Sequence, residues 1–318
     1  MRAKHVASPA GARRGRRLLA AAALCAAALV ALGCGLGAGK GTGDVRVTVT
    51  TDFGGRRVGA ATTNRTPGGE TAMRFLQRNF RVQTRYGGGF VEAIDGLSGS
   101  TGGDQLDWFY YVNGIEASVG AAAMRLHPGD RVWWDRHDWT AAMRVPAVVG
   151  SFPEPFRSGS GGKRFPVRIE CVRVGGAACT TTRDRLRAAG VEDAAVAGAG
   201  GTAGRDVLRL LVGPWRVIRA DPALQQLQRG PSASGVYVRP SASGGSIALL
   251  DASGRPAGTL APGAGLIAAT RIGDQQPTWA VTGVDDAGAL AAARALTPAS
   301  LHDRFAAAVT GGAVRSVP

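Results

Sequence analysis

The residues best able to do acid–base or metal chemistry stand in one run, Asp135-Arg136-His137-Asp138. A carboxylate beside an imidazole is the kernel of many general bases and metal sites. Adjacent residues of a strand point to opposite faces, so the four cannot converge on one atom. A solvated strand end is the reading this spacing favours. Of the other histidines, His127 falls in a Pro-Gly turn, His302 at a helix start and His5 near the N-terminus. Ser232 to Gly235 lacks the flanking pattern of a nucleophile elbow. The Gly-rich run Gly198 to Gly204 has no Lys-Ser or Lys-Thr after it, so it is not a phosphate loop. No catalytic residue and no metal ligand is nominated. The residues point to a protein without catalytic activity; an exported enzyme of unrecognised type stays open as an alternative.

The leader sets the chemical compartment. Arg13 to Arg17 form a basic start, and Leu18 to Leu32 an apolar run about as long as a signal core and too short to span comfortably alone. It ends in Ala31-Leu32-Gly33-Cys34, which resembles the lipobox of bacterial lipoproteins, with Ala where that pattern prefers Leu. The resemblance implies a signal peptide over 1–33, cleavage before Cys34 and lipidation of Cys34. An ordinary secretory peptide with an incidental cysteine is the competing reading. Residues 34–43 form a Gly-rich tether of the kind a lipid anchor needs. Arg16-Arg17 leaves the general secretory and twin-arginine export routes both open. The expected location is the outer, extracytoplasmic face of the cell membrane, lipid-anchored.

Charge agrees with export rather than with nucleic acid. The formal charge is +15, and the leader supplies six of its basic groups. The arginines of the C-terminal half are dispersed and form no readable stripe, so no nucleic-acid partner is expected. Beyond Cys25 and Cys34 only Cys171 and Cys179 remain. In an exported chain such a close pair reads as a disulfide, with Gly175-Gly176 turning the chain between them. A metal or redox site is the competing reading, but there is no C-x-x-C spacing and no nearby histidine.

The elements that must position these residues come next. Val45 to Thr51 alternates apolar and polar residues and reads as a strand. A helix follows from Thr71 to about Asn79, with Ala72, Phe75 and Leu76 on one face. Val82 to Tyr86 and Phe90 to Ile94 read as strands. Trp108 to Val112 is an aromatic strand running into the tight turn Asn113-Gly114, and Arg131 to Asp135 is a strand after the turn at Gly129-Asp130. One helix and five or six strands imply a sheet with a helix on one face. Both faces carry aromatics, so rings on the uncovered face are expected to form a binding surface unless another part of the chain covers them. Tyr110, Tyr111, Arg131, Trp133 and Asp135 are the candidates, with Trp133 as the ring expected to be exposed.

The order Ile94-Asp95-Gly96, then Trp108-Phe109-Tyr110-Tyr111-Val112-Asn113-Gly114, then Leu126-His127-Pro128-Gly129-Asp130-Arg131-Val132-Trp133-Trp134 resembles the transcobalamin-like C-terminal domain family, which bacteria carry as a domain of unknown function. The resemblance covers about residues 44–139 and implies a β-grasp-like fold. It also implies cobalamin as a candidate ligand, since the related domain of transcobalamins covers one face of that cofactor. The helical-barrel partner that completes the vitamin site there is not evident in this sequence, and the residues by themselves name no cofactor.

The whole chain therefore reads as α+β: a β-grasp-like domain over 44–145, a Pro/Gly/Ser linker over 146–163, and a second α+β domain of unrecognised family over 164–318. In the second domain, Thr180 to Thr182 read as the cap of a helix ending at Gly190, and Ala194 to Gly204 as a loop. Asp221-Pro222 and Asp285 read as helix starts, and Thr297-Pro298 as the start of a last helix running through Phe305. The expected function is a lipid-anchored extracytoplasmic binding or adaptor protein whose partner is a protein or small molecule. An accessory role in uptake of a corrinoid or similar cofactor is the second alternative.

Overall fold

The computed structural model describes residues 40–100, 103–202 and 204–318, and side chains from residue 43 onward. Cys34 and the leader lie outside the described residues, and residues 40–43, expected as the end of a Gly-rich tether, are instead the start of a strand. Strand β1 (Lys40–Thr51) turns into β2 (Arg56–Pro67). Helix α1 (Ala72–Asn79) follows, started by the Thr71 hydroxyl accepting from the Arg74 amide. Next come β3 (Val82–Arg85), β4 (Phe90–Ile94), β5 (Leu97–Ser98), β6 (Leu106–Val112), β7 (Ile115–Glu116) and β8 (Arg131–Asp138). β2, β1, β8, β6 and β7 form one sheet in that order, and β3, β4 and β5 a smaller one. β1 and β8 run parallel, with Val47 beside Val132, whereas β6 and β8 run antiparallel. Strand alternation sends Val45, Val47, Val49, Val132, Trp134 and Trp108 to the α1 side, where Phe75 and Leu76 meet them.

The second half contributes β9 (Val167–Cys171), α2 (Ala177–Ala188), β10 (Ala195–Gly198), β11 (Leu208–Pro214), α3 (Trp215–Ile218), α4 (Pro222–Gln228) and α5 (Pro231–Ser234). Then follow β12 (Val238–Pro240), β13 (Ile247–Leu250), β14 (Pro256–Leu260), β15 (Gly265–Thr270), β16 (Thr278–Gly283), α6 (Asp286–Ala295), α7 (Pro298–Leu301), β17 (Ala306–Thr310) and β18 (Ala313–Val317). Seven of these strands make a sheet in the order β10, β9, β11, β16, β15, β17, β18, and β12 to β14 make a small antiparallel sheet. The α+β class holds. The Asp221, Asp285 and Thr297 side chains accept the capping bonds expected of them.

Several local expectations are corrected. The helix expected to start near Thr180 begins at Ala177, and Thr182 is internal, its hydroxyl donating back to the Ala178 carbonyl. The small-residue run after Ala194 contains a strand, because β9 offers it a parallel edge. The last helix stops at Leu301, and Phe305 precedes a strand. A short helix cannot be distinguished from an alanine-rich strand by periodicity alone.

The largest correction concerns residues 146–163, expected as a solvated linker. Val148, Val149, Phe152, Phe156 and the Glu154 carboxylate are all buried. This segment is a mortar between two sheets. The face of the first sheet that carries Tyr111 and Trp133 shares one core with Leu211, Leu266, Ala268 and Ala280 of the seven-stranded sheet. The opposite face of the seven-stranded sheet packs on α2 and α6, with Phe152, Phe156 and Trp279 filling the layer. Residues 41–318 accordingly form one compact unit.

Candidate functional site

The aromatic face does not reach solvent. Tyr111 and Trp133 are 0% and 3% exposed, and Asp135 is 0% exposed. Phe305 meets Trp133 edge-on at 5.0 Å and Tyr111 at 5.6 Å between centroids. Tyr237 approaches the same cluster through Phe53, 5.0 Å away. The expectation of an exposed Trp133 is thus corrected: one helix covers one face, and the chain's own C-terminal half covers the other. Arg131 is half-buried, with burial lowering its pKa, and it donates to the Phe152 carbonyl at 3.4 Å. Tyr110 lies on the α1 side, stacked on Trp134 at 4.7 Å, with its hydroxyl donating to the Val119 carbonyl. The crevice that remains beside Arg131 and Trp133 is about 20 Å³, room for little more than one water.

Asp135 and His137 also depart from expectation. They are two residues apart, so they share a face, and both are buried rather than solvated. The His137 Nδ1 lies 2.9 Å from the Asp135 carboxylate. That carboxylate also accepts from the Thr50 hydroxyl at 2.5 Å and from the amides of Phe53 and Gly54 at 3.1 and 2.8 Å. The imidazole sits between Phe109 and Phe53, with centroids 4.5 and 4.6 Å away. A buried charge with several donors is a satisfied structural group. The pair organises the turn after β1.

The turn residues have structural work too. Asn113 is buried, and its side-chain oxygen accepts from the Arg131 amide at 2.9 Å. Its side-chain nitrogen donates to Asp130 and to the Gly159 carbonyl, each at 2.8 Å. Burial raises the Asp130 pKa against the bonds it accepts from the His127 amide and Asn113. Gly114 has φ +76, and a Cβ there would stand 2.7 Å from the Val148 carbonyl. Gly129 has φ +93. Together these residues clamp the first sheet onto residues 146–160.

The Cys171–Cys179 disulfide is present, with its Cα atoms 5.7 Å apart. It joins the end of β9 to the first turn of α2.

A concavity that combines apolar walls with buried charges lies elsewhere, on the seven-stranded sheet above β9 and β11. Its volume is about 590 Å³, within the range of small-molecule sites. Leu211, Val217, Ile218, Ala220, Pro222 and Ile272 make its walls, with the Gly200-Gly201 turn along one side and Arg209 in its floor. Arg209 holds Glu170 bidentately, Nε to Oε1 at 2.9 Å and one terminal nitrogen to Oε2 at 2.7 Å. The same nitrogen reaches Asp221 at 2.5 Å. Burial opposes the Arg209 charge, but the bonds to Glu170 and Asp221 outweigh it and raise its pKa. Arg168, beside Arg209 in the strand register, donates to the Thr202 carbonyl at 3.2 Å. Two arginines face two carboxylates, so the floor is neutral overall but dense in hydrogen-bonding groups.

Sequence reasoning missed this floor. A signal was available: Arg168 and Glu170 alternate with Val167, Ile169 and Cys171, and Arg209 interrupts an apolar strand. Charges on one face of a central strand are costly unless that face is paired. Which residues pair them depends on strand order, which periodicity does not supply. Among the described residues, no group of three or more His, Cys, Asp or Glu side chains is placed to hold a metal ion.

Residues 69–138 match the family described as a domain of unknown function, DUF4430. The match falls inside the 44–139 segment that resembles the transcobalamin-like family. No curated protein matches the chain. Among solved structures, haptocorrin in complex with Cbi is similar at 17% identity and a TM-score of 0.26, over 32% of this chain and 26% of haptocorrin. The similar part is thus about a quarter of haptocorrin's own length. A protein from Ruminococcus gnavus, named for a suggested metal-binding role, is similar at 14% identity and a TM-score of 0.24, over 30% of this chain and 97% of that one.

Proposed function

We propose that this is an extracytoplasmic protein, held at the membrane through lipid on Cys34, that binds a small molecule in the cleft above Arg209 and performs no catalysis. The observation that carries the reading is the cleft itself: apolar walls converging on a buried, hydrogen-bonded Arg209–Glu170–Asp221 floor. That combination fixes the orientation of a bound molecule while burying most of its surface. Because the floor is neutral, the fitting ligand is largely apolar with one polar group to meet the arginines, rather than a multiply charged one.

A corrinoid-uptake role has less support. The aromatic face from which a flat ring system would have been gripped is occupied by Phe305 and its neighbours. Asp135 and His137, the acid–base pair that the sequence offers, are enclosed and out of a substrate's reach.

Native mass spectrometry of the purified protein tests the reading. A bound small molecule is expected on the parent chain and should be lost on Ala220→Trp. Ala220 is exposed on the cleft wall, so the added indole fills the site without disturbing the core. An empty parent, or the same molecule retained after Ala220→Trp, would remove the proposed site.

A further inference from the structure

A second surface is marked by exposed aromatic side chains. Tyr86, 86% exposed and at φ +52, stands on the loop between β3 and β4. Phe90 follows across three glycines, its ring 6.3 Å from that of Tyr86. Both rings and Val119 are exposed. They are close in space, because a Cβ on Gly120 would lie 3.4 Å from the Gly89 carbonyl oxygen. The chain continues from this tip along one end of the molecule. The Met124 amide donates to Gly120 at 3.2 Å, and the Gly129 amide donates to the Asp44 carbonyl at 3.0 Å. Beyond the turn, His127 packs on Gly162. Residues 120–129 therefore join the aromatic tip to the 157–164 turn and the start of β1.

The charges on this end are unbalanced. Arg125, Lys163 and Arg164 are exposed, and none has an ion-pair partner among the described residues. Asp130 and Glu154 are buried and engaged by Asn113 and Arg157, which leaves Asp44 as an exposed carboxylate beside them. A shallow groove of about 660 Å³ runs between Asp44, Pro128, Arg157 and Arg164.

We propose that this end is a membrane-docking face: Tyr86 and Phe90 sit at the headgroup level of an anionic bilayer, while Arg125, Lys163 and Arg164 meet its phosphates. Aromatic rings with polar surroundings favour the bilayer interface, and exposed basic residues favour anionic lipid. The proposal rests on the lipid-anchor reading for proximity. β1 begins at Lys40, six positions after Cys34, a reach of at most about 21 Å. Docking would hold the rest of the molecule outward.

The test uses the full chain carrying Tyr86→Trp, reconstituted in vesicles of phosphatidylcholine with about one-third phosphatidylglycerol, so that Lys/Arg attraction is present. Brominated lipid should quench the added indole beyond the parent's background. In the unacylated Cys34→Ala background, reversing Arg125, Lys163 and Arg164 to Glu should weaken vesicle binding by about tenfold or more. Flotation with vesicles but no extra quenching overturns the docking face and leaves the anchor standing. Equal flotation and lipid labelling of the parent and Cys34→Ala, with quenching intact, overturns the anchor and leaves the face standing. Unchanged binding after charge reversal also overturns the face and points to a protein partner for it.

Discussion

Two regions of this molecule look alike in one respect and differ in another. The face of the first sheet carries Phe109, Tyr111, Trp133, Asp135 and His137, residue types that suggest ligand binding or catalysis. The floor of the cleft on the seven-stranded sheet carries Arg168, Glu170 and Arg209 among small apolar residues. Both contain buried charges satisfied by hydrogen bonds. The first is sealed by Phe305 and Tyr237; the second remains open above Arg209. Residue type records what a face could do, whereas access decides whether anything can reach it. A ring flanked by charges is a binding surface only if no other layer of the same chain lies over it.

The sharpest way to break this comparison is Trp133→Ala. If the face is core, the change costs about 3–5 kcal/mol of stability, read as a lower midpoint in urea. It should leave any cleft ligand in place on the folded fraction. A melt within about 0.5 kcal/mol of the parent, as for an ordinary surface change, would mean that the face is open after all. Ala220→Trp makes the reciprocal change: it should empty the cleft at little cost in stability.

Removing the disulfide sharpens the comparison from the other side. Cys171→Ser with Cys179→Ser should cost about 2–3 kcal/mol in the loop-closure account. Cys171 directly follows Glu170, so the loss should loosen the cleft floor before it affects the aromatic face. Hydrogen exchange along β9 and β8 would show the order, and faster exchange in β8 alone would contradict it.

A smaller effect is expected at the clamp between the regions. Asn113→Ala leaves the buried Asp130 without one of its donors, at a cost of about 1–3 kcal/mol. Exchange should rise at residues 146–160, and unchanged protection there would remove the clamp.

The smallest effect is on pH dependence. Burial raises the Glu116 pKa above its ordinary value of 4.5, against the opposing pull of Arg144. The folded protein therefore holds this proton more tightly than the unfolded chain does. Glu116's contribution to stability is fully present below about 4.5 and is lost as pH rises from there through the folded pKa. Glu116→Gln should flatten that part of the curve of Tm against pH. An identical curve would mean that Glu116 titrates as it does in the unfolded chain.

Much of the local structure was legible in order. Alternation in Val45 to Thr51 and in the aromatic strand, the Asn113-Gly114 turn, the caps at Asp221, Asp285 and Thr297, and the Cys171–Cys179 pair all follow from local rules. Each depends on residues close in sequence. The Arg209–Glu170–Asp221 floor was not legible, because its partners stand 39 and 12 residues from Arg209. Glu170 meets Arg209 only once β9 and β11 have paired, and Asp221 only once the helix after β11 has turned the chain back. The linker reading of 146–163 failed for a related reason. Its glycines and prolines do signal turns, but turns can be buried when two sheets close around them, and Phe152 and Phe156 supply the apolar surface that makes closure favourable.

By itself the sequence determined the α+β class, which residues alternate on each strand and the spacing of the cysteines, because these depend on backbone geometry and side-chain type over a few residues. Tertiary structure alone decided that Trp133 is core, that Asp135 and His137 are enclosed, and that a cleft stays open above Arg209. Those outcomes depend on which sheet face meets which, and the burial of one apolar face against another depends on area rather than on sequence distance.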